Sequence, residues 1–413
     1  MIVATTALCC LALSAPQFEE PPIRISVLSL LNPQVVEVSC ERSIELEFDT
    51  PTFIPEMIHP GEVVQAEIRN DQLVLSLRSQ DGREEELPEH SQVRFKGSTL
   101  DNPLVIRVIS PNKFGRGLVG ELLVRNEGGR LQLILTAGLE QVVGEVVAAE
   151  MGNATPPHAA AALAVAVRSY ILAMKGRNGS ESYDILDTTQ SLLYRGRDGA
   201  LGPGSESSLE IGRAAASETR GLTLTNGDKV VPGFFHACCG GFTATPEMIW
   251  KGAANSESYK RCRCEFCVES PLRHWINRAP LLEVLGALRI EEMAGSWNFK
   301  VACYTDSSYV SSVNVSGINS RHEFSGEDFR LRIGRSLGWN ILRSNAYSVT
   351  VAGGEVVFEG YGFGHGVGLC QEGAAEAARV GWDWRRILSY YYPRCRIKAL
   401  EWRRLGKSAV PPG

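Results

Sequence analysis

The sequence predicts an α+β protein in which a β-rich N-terminal region precedes a mixed region of helices and strands. Residues 22–125 consist of short apolar or alternating runs separated by Pro, Gly, Asn and Asp, which is typical of strands and turns. Residues 139–151 and 155–175 carry helical patterns, and the final third returns to strand-like runs with a few helices. Because the helices are grouped rather than alternating regularly with strands, the pattern indicates α+β.

The domain organisation follows from these shifts in pattern. A chain of 413 residues with 44% hydrophobic composition can bury a large core, and we expect two or three structural units. The predicted division is a leader segment at 1–21, a β-rich region at 22–125, a mixed helix and strand domain at 126–400 with a cysteine-rich insertion at 251–275, and a tail at 401–413.

The first residues resemble a secretory signal. The run MIVATTALCCLALSA is apolar, ends in small residues and is followed by Pro16 and the acidic pair Glu19 and Glu20. We therefore expect an exported protein of the periplasm or cell envelope. The basic residues that usually open a signal are missing, so an upstream start or a buried strand remains the alternative.

The charge balance gives no indication of a nucleic-acid partner. The chain has 42 basic and 47 acidic residues, a net charge of -5, and no long run of one sign. Proteins that bind the phosphate backbone of nucleic acids usually carry clusters of basic residues, and this sequence has no long run of basic residues. We expect a ligand held by local groups in a cleft.

One glutamate stands out in the helix predicted at 139–151. On a helical wheel Glu150 lies in the apolar stripe, Glu145 on the opposite, solvent side and Glu140 at the edge. Burial of the side chain removes water from the carboxylate, and the C-terminal end of a helix dipole is negative; both disfavour the charged form. The pKa of Glu150 should therefore be raised, as in a general acid. The alternative is that Glu150 escapes to water or pairs with Arg168. The stripe consists of Leu139, Val142, Val143, Val146 and Val147.

The cysteines form a second feature. Of eleven cysteines, five crowd into one segment: Cys238, Cys239, Cys262, Cys264 and Cys267. In an exported protein disulfides are the usual explanation, but a C-x-C-x-x-C pattern near His236 also suits a structural zinc ion. Both remain open, with unpaired thiols as a third alternative, and we expect no other cofactor to be required.

A glycine-rich turn near the C-terminus forms the third feature. Its alternate glycines allow positive φ angles and close backbone approach, which suits a turn that holds His365 against a ligand. A helix is predicted to follow near Gln371. The alternative is a tight strand-to-helix turn in which the histidine is packed. The glycines are Gly362, Gly364, Gly366 and Gly368.

Four blocks together resemble the SpoIID (stage II sporulation protein D) and LytB amidase-enhancer family. They are LEQVVGEVVAAEM followed by LAVAVRSYI, DTTQSLLYRG, FFHACCGGFTATPEMIW and GYGFGHGVGLCQEGAAEAARVGWDWRRILSYYYP. They occur in the family's order. GFGHGVGLCQEGA is the most specific of them.

The resemblance implies a catalytic domain at 126–400 that acts as a peptidoglycan lytic transglycosylase, a lyase of cell-wall remodelling in division or sporulation. Its substrate would be glycan strands from which an amidase has removed the stem peptides. Glu150 would serve first as acid and then as base, giving 1,6-anhydro ends. Arg168 would orient Glu150 or bind sugar. The other implied substrate-binding residues are Gln190, His236, His365 and Gln371.

Three departures from the family pattern accompany this resemblance. The segment YDILDTTQSLLYRG lacks the Cys and His that hold zinc in some relatives, the cysteine-rich insertion is unusual, and Gly152 replaces the usual proline. The main alternative function is a non-catalytic glycan-binding or amidase-enhancing protein. A thiol protease that pairs a cysteine with His236 or His365 is a more distant alternative, because no recognisable nucleophile context surrounds the cysteines.

Overall fold

The computed structural model describes residues 20–49, 56–111, 113–152, 154–175, 182–188, 192–197, 205–253, 256–291 and 295–400. It combines many strands with fewer helices and has a β-rich N-terminal region, so the predicted α+β class is confirmed. The leader at 1–21 lies almost wholly outside the described residues, and the tail at 401–413 lies entirely outside them.

The N-terminal part is built from strands whose side chains alternate between buried and exposed, as a sheet with one buried face requires. The strands are β1 (Pro22–Val27), β2 (Val35–Ser39), β3 (Ile44–Phe48), β4 (Glu56–Ile58), β5 (Val63–Arg69), β6 (Gln72–Arg78), β7 (Glu84–Glu86), β8 (Gln92–Lys96), β9 (Leu104–Ser110), β10 (Phe114–Leu118), β11 (Glu121–Asn126) and β12 (Leu131–Gly138). A six-stranded antiparallel sheet has the order β10-β9-β2-β5-β6-β7.

Three helices follow β12. They are α1 (Leu139–Met151), α2 (Pro157–Met174) and α3 (Ser205–Glu218), with the short strand β13 (Ile185–Leu186) between the last two. β13 pairs in parallel with β1, and the seven-stranded sheet therefore has the order β13-β1-β12-β11-β8-β3-β4. The expected boundary at residue 125 falls inside β11, and the division into domains stays a prediction.

Helix α1 confirms the predicted bounds, because it begins directly after β12 and ends at Met151. Gly152 follows with a φ of 72°, a backbone angle that glycine adopts readily beyond a helix end. Helix α2 is long and apolar enough to cross a membrane by length and composition alone, but 72% of that window is buried inside the protein. It forms the centre of the main core.

The C-terminal part contains smaller sheets. Its elements are β14 (Leu222–Asn226), β15 (Lys229–Val230), β16 (Phe235–His236), α4 (Pro246–Ile249), β17 (His274–Pro280), α5 (Leu281–Leu288), β18 (Asn298–Cys303), β19 (Val310–Ser316), β20 (Arg321–Ser325), α6 (Gly326–Leu337), β21 (Ala346–Ala352), β22 (Glu355–Tyr361), β23 (Leu369–Cys370), α7 (Gln371–Arg379), α8 (Trp384–Tyr391) and β24 (Arg396–Ala399). The described sheets have the orders β15-β14-β24, β16-β23, β17-β22-β21 and β18-β19-β20.

Two hydrophobic cores hold these elements together. The larger core runs from Ile23 in β1 to Tyr392 and joins the N-terminal strands to α1, α2 and the last helices. A smaller core lies between Trp275 and Phe358, around α5, α6 and the two adjoining three-stranded sheets. The strand-rich region and the helices that carry the predicted site therefore share one packed interior.

Candidate active site

Glu150 lies in the last turn of α1 and is partly buried. Its Oε1 accepts a hydrogen bond from the backbone N–H of Leu193 at 3.3 Å, and its Oε2 accepts one from Nε2 of Gln371 at 3.4 Å. Burial raises the pKa of the Glu150 carboxyl above its ordinary value, while Gln371, Leu193 and the charge of Arg195 lower it by less. The protonated form therefore persists to a higher pH than in an exposed glutamate.

The loop that carries Leu193 is anchored by a buried ion pair. Nη1 of Arg116 lies 2.7 Å from Oδ2 of Asp187 and 3.3 Å from the carbonyl oxygen of Tyr194. The same Asp187 carboxylate accepts the backbone N–H of Leu28 at 2.7 Å. Asp187 opens the DTTQSLLYRG block, so this block fixes the segment that donates to Glu150. Gln190, the residue of this block expected to bind sugar, lies outside the described residues.

Gln371 contacts Glu150 although it lies near the other end of the chain, because the glycine-rich turn places the start of α7 beside α1. The four alternate glycines have φ angles of 82°, 101°, 81° and 75°, which confirms their predicted conformation. Glycine is also required for space, since a Cβ on Gly368 would lie 2.0 Å from the carbonyl oxygen of Phe234. The turn ends in β23, and Gln371 begins α7 immediately afterwards.

His236 lies next to this turn because β16 and β23 pair in parallel, with His236 opposite Cys370. The His236 side chain is buried, and its Nδ1 is 3.1 Å from the carbonyl oxygen of Val367. Burial lowers the pKa of the His236 imidazole to about 4, so the ring is neutral at physiological pH. His236 is only 4% exposed, and its contact with Val367 supports the turn. This burial corrects the expectation that His236 contacts sugar directly.

His365 is partly exposed and lies among aromatic rings. Its ring centroid is 5.7 Å from that of His236, 5.0 Å from that of Trp250 and 6.2 Å from that of Phe234. Its Nδ1 accepts the backbone N–H of Val367 at 3.0 Å, which leaves the proton on Nε2. Desolvation and the neighbouring His236 hold the pKa of His365 well below its usual value. A neutral histidine beside aromatic faces suits hydrogen bonding and stacking with a sugar.

Arg168 does not belong to this site. It is fully buried, and its Nε and Nη2 lie 2.8 Å and 2.5 Å from the two carboxylate oxygens of Glu140. Its Nη1 donates to the carbonyl oxygen of Leu222 at 3.0 Å. The expectation that Arg168 orients Glu150 or binds sugar is therefore wrong. A buried charge needs an opposite charge close by, and the bidentate pair of Arg168 with Glu140 meets this need for both residues. The pair links α2 to α1, and the bond to Leu222 links α2 to the chain after α3.

The predicted solvent position of Glu145 is also wrong, because α3 covers that side of α1. The two helices cross closely at Gly144 and Gly212, where a Cβ on Gly212 would lie 2.1 Å from the carbonyl oxygen of Gly144. Glu145 is 2% exposed, and its Oε1 accepts a hydrogen bond from Gln141 at 3.2 Å. Burial raises the pKa of the Glu145 carboxyl.

The cysteine cluster differs from the predicted one in its members. The sulfurs of Cys239, Cys264, Cys267 and Cys370 converge, whereas Cys262 points elsewhere, with its Sγ 3.0 Å from the carbonyl oxygen of Tyr390. Cys238 is buried beside the cluster, in contact with Cys267 and Cys370. None of the described cysteines forms a disulfide. Sequence reasoning missed Cys370, because only the pairing of β16 with β23 brings it near the others.

Comparison with known proteins agrees with the resemblance inferred from the motifs. Residues 127–226 match the model of the SpoIID family, described as stage II sporulation protein. The chain is 26% identical over 266 residues to stage II sporulation protein D of Bacillus subtilis, covering 63% of this chain and 74% of that protein. It is 25% identical over 274 residues to an uncharacterized protein of Brachyspira hyodysenteriae, covering 66% and 69%. The family-model match contains α1, Glu150 and α2.

Proposed function

We propose that the chain, whose residues 127–226 match the SpoIID family model, is a lytic transglycosylase, a lyase that cleaves peptidoglycan glycan strands at N-acetylmuramic acid. The family supports a cell-wall related role. The observation that carries the finer proposal is the environment of Glu150, a partly buried carboxyl of raised pKa held by two hydrogen-bond donors.

The proposed chemistry needs one carboxyl group. Protonated Glu150 gives its proton to the glycosidic oxygen as the C1–O bond of N-acetylmuramic acid breaks. The resulting carboxylate accepts the proton of the same sugar's 6-hydroxyl, and O6 bonds to C1 to form the 1,6-anhydro ring. No water is consumed, and Glu150 ends the cycle protonated. The internal hydroxyl gains from its proximity to C1.

The partners of Glu150 fit this double role. The donors from Gln371 and Leu193 stabilise the carboxylate formed in the first step, and burial stabilises the acid needed to begin. Both of these donors are amides, which keep their protons as Glu150 alternates between acid and carboxylate.

The substrate and surroundings follow from the same proposal. Strands freed of stem peptides by an amidase would be the preferred substrate, and the protein would work outside the cytoplasm, where peptidoglycan is found. Three residues remain as proposed sugar contacts: His365 is partly exposed beside Trp250, Gln371 lies against Glu150, and Gln190 belongs to the DTTQSLLYRG block.

The proposal is tested with glycan strands stripped of peptides. The wild-type protein should release fragments ending in 1,6-anhydro-N-acetylmuramic acid, which mass spectrometry identifies because these ends lack one water. Glu150→Gln should abolish release while strand binding persists, since an amide keeps the shape but supplies no proton. Glu210→Gln, at an exposed position on α3, is the matched control and should leave release unchanged.

Three outcomes would contradict the proposal. Fragments with ordinary reducing ends would mean hydrolysis, and full activity of Glu150→Gln would mean a different catalytic residue. Wild-type protein that binds strands and releases nothing, alone or with an amidase, would instead support the non-catalytic, amidase-enhancing alternative.

A further inference from the structure

Four cysteine sulfurs meet in one buried place beside the candidate active site. The Sγ atoms of Cys239, Cys264, Cys267 and Cys370 all lie within 4.8 Å of one another, and all four residues are buried. They come from three separate segments: the chain after β16, the cysteine-rich insertion, and the end of β23. Such convergence of four thiol groups, with apolar surroundings and no disulfide among the described cysteines, calls for a common ligand.

The spacing of the sulfurs matches a single tetrahedral metal ion. Zinc binds thiolates at about 2.3 Å, so four tetrahedral sulfurs are separated by roughly 3.8 Å. The Sγ atoms of Cys239 and Cys267 lie 3.6 Å apart, far longer than the ~2.05 Å of a disulfide. An iron–sulfur cluster would push its cysteines farther apart, because two or four iron atoms and their sulfides lie between them.

Hydrogen-bond donors around the sulfurs fit thiolates. The backbone N–H groups of Cys239 and Gly373 point at Sγ of Cys370, at 3.4 Å and 3.3 Å, and Cys370 is the N-cap of α7. The hydroxyl of Tyr391 lies 3.2 Å from Sγ of Cys264. Four thiolates and one divalent ion carry a net charge of -2, which such donors and the positive end of a helix offset.

On the side of α7, the packing around the four sulfurs leaves no room for a group larger than a single metal ion. A Cβ on Gly373 would lie 2.7 Å from Sγ of Cys264 and 3.4 Å from Sγ of Cys370. The first turn of α7 therefore closes directly over the sulfurs, which favours one ion over a polynuclear cluster.

We propose that Cys239, Cys264, Cys267 and Cys370 bind one structural zinc ion that fastens the cysteine-rich insertion to the start of α7. All four tetrahedral positions are filled by protein, so this ion has no open position for catalysis. Its effect on the active site is mechanical. Cys370 precedes Gln371 in the chain, and Gln371 donates to Glu150, so the ion fixes the residue that holds the carboxyl.

The test measures metal content and does not depend on enzymatic activity. Full-length protein purified without chelator should contain about one zinc ion per chain by elemental analysis. After removal of zinc, added Co²⁺ should give the intense visible absorption of a tetrahedral tetrathiolate, and added Zn²⁺ should displace it. Iron with inorganic sulfide, or two disulfides found by mass spectrometry among the four cysteines of metal-free native protein, would overturn the proposal.

A matched pair of variants lies within the CRCEFC segment. Cys264→Ser should lose most of the zinc, whereas Cys262→Ser, two positions away and outside the cluster, should retain it. Equal loss in both variants would overturn the assignment of ligands. Should Cys264→Ser fail to fold, the cobalt spectrum of the wild-type protein decides independently, because a spectrum without tetrathiolate absorption contradicts the proposal.

Discussion

Nε2 of Gln371 donates a hydrogen bond of 3.4 Å to Oε2 of Glu150, joining residues that are 221 positions apart in the chain. Glu150 lies in the last turn of α1, within the residues that match the SpoIID family model, and Gln371 begins α7 after the glycine-rich turn. The contact brings two of the four family-like blocks together, and it makes Gln371 a positioning residue for the proposed acid.

Replacing Gln371 with Met should shift the pH dependence of the proposed reaction. Gln371 stabilises the carboxylate and so lowers the pKa of Glu150; without it the pKa rises further. Because the reaction begins with protonated Glu150, activity is lost as pH rises through that pKa. The alkaline limb of the kcat/KM profile should therefore move to higher pH in Gln371→Met. An unchanged limb together with a raised KM would instead assign Gln371 to sugar binding.

Glu145→Gln should make the folding stability of the protein less sensitive to alkaline pH. Burial raises the pKa of Glu145 in the folded state above its unfolded value, so its contribution to stability is complete at low pH and lost as pH rises through the folded pKa. The variant should have a higher Tm than wild type at pH 8 and a similar Tm near pH 4. The exposed Glu210→Gln serves as control. A Tm difference that is the same at both pH values would contradict the buried, titrating position.

Arg168→Ala should destabilise the fold and leave glycan binding by the remaining folded protein unchanged. Removing one partner of a buried ion pair leaves the other charge without compensation, at a cost of about 3–5 kcal/mol. Chemical denaturation measures this loss. The double variant Arg168→Met with Glu140→Leu should recover part of it, since an apolar pair needs no compensation. Normal stability with lost strand binding in Arg168→Ala would restore the role inferred from sequence.

Gly368→Ala should cost more stability than Gly381→Ala, although both residues have a positive φ. The backbone strain is common to both, at roughly 1–2 kcal/mol. Only Gly368 adds a clash, because its Cβ would meet the carbonyl oxygen of Phe234 at 2.0 Å, whereas the space around Gly381 is open. Overpacking adds about 1–3 kcal/mol or more. Equal losses in urea denaturation would mean that β16 and the turn separate easily.

The local elements were predictable because their signals lie within a few residues. Apolar spacing and Gly152 defined α1 to its last residue, and the alternate glycines indicated the positive φ angles of the turn. The apolar stripe also singled out Glu150, which is partly buried and has a raised pKa. The helix bounds and the turn angles depend on local sequence alone, so a sequence window contains that information, whereas the burial that raises the pKa of Glu150 also requires the distant segments that cover α1.

What the tertiary structure decided was which segment covers which face. Glu145 was assigned to solvent because the wheel describes α1 alone, but α3 packs on that face through Gly144 and Gly212. Arg168 meets Glu140 rather than Glu150, and Cys370 joins Cys239 through the pairing of β16 with β23. A periodic pattern reports that a face is suited to burial, whereas the identity of its partner depends on contacts between distant segments that no local spacing encodes.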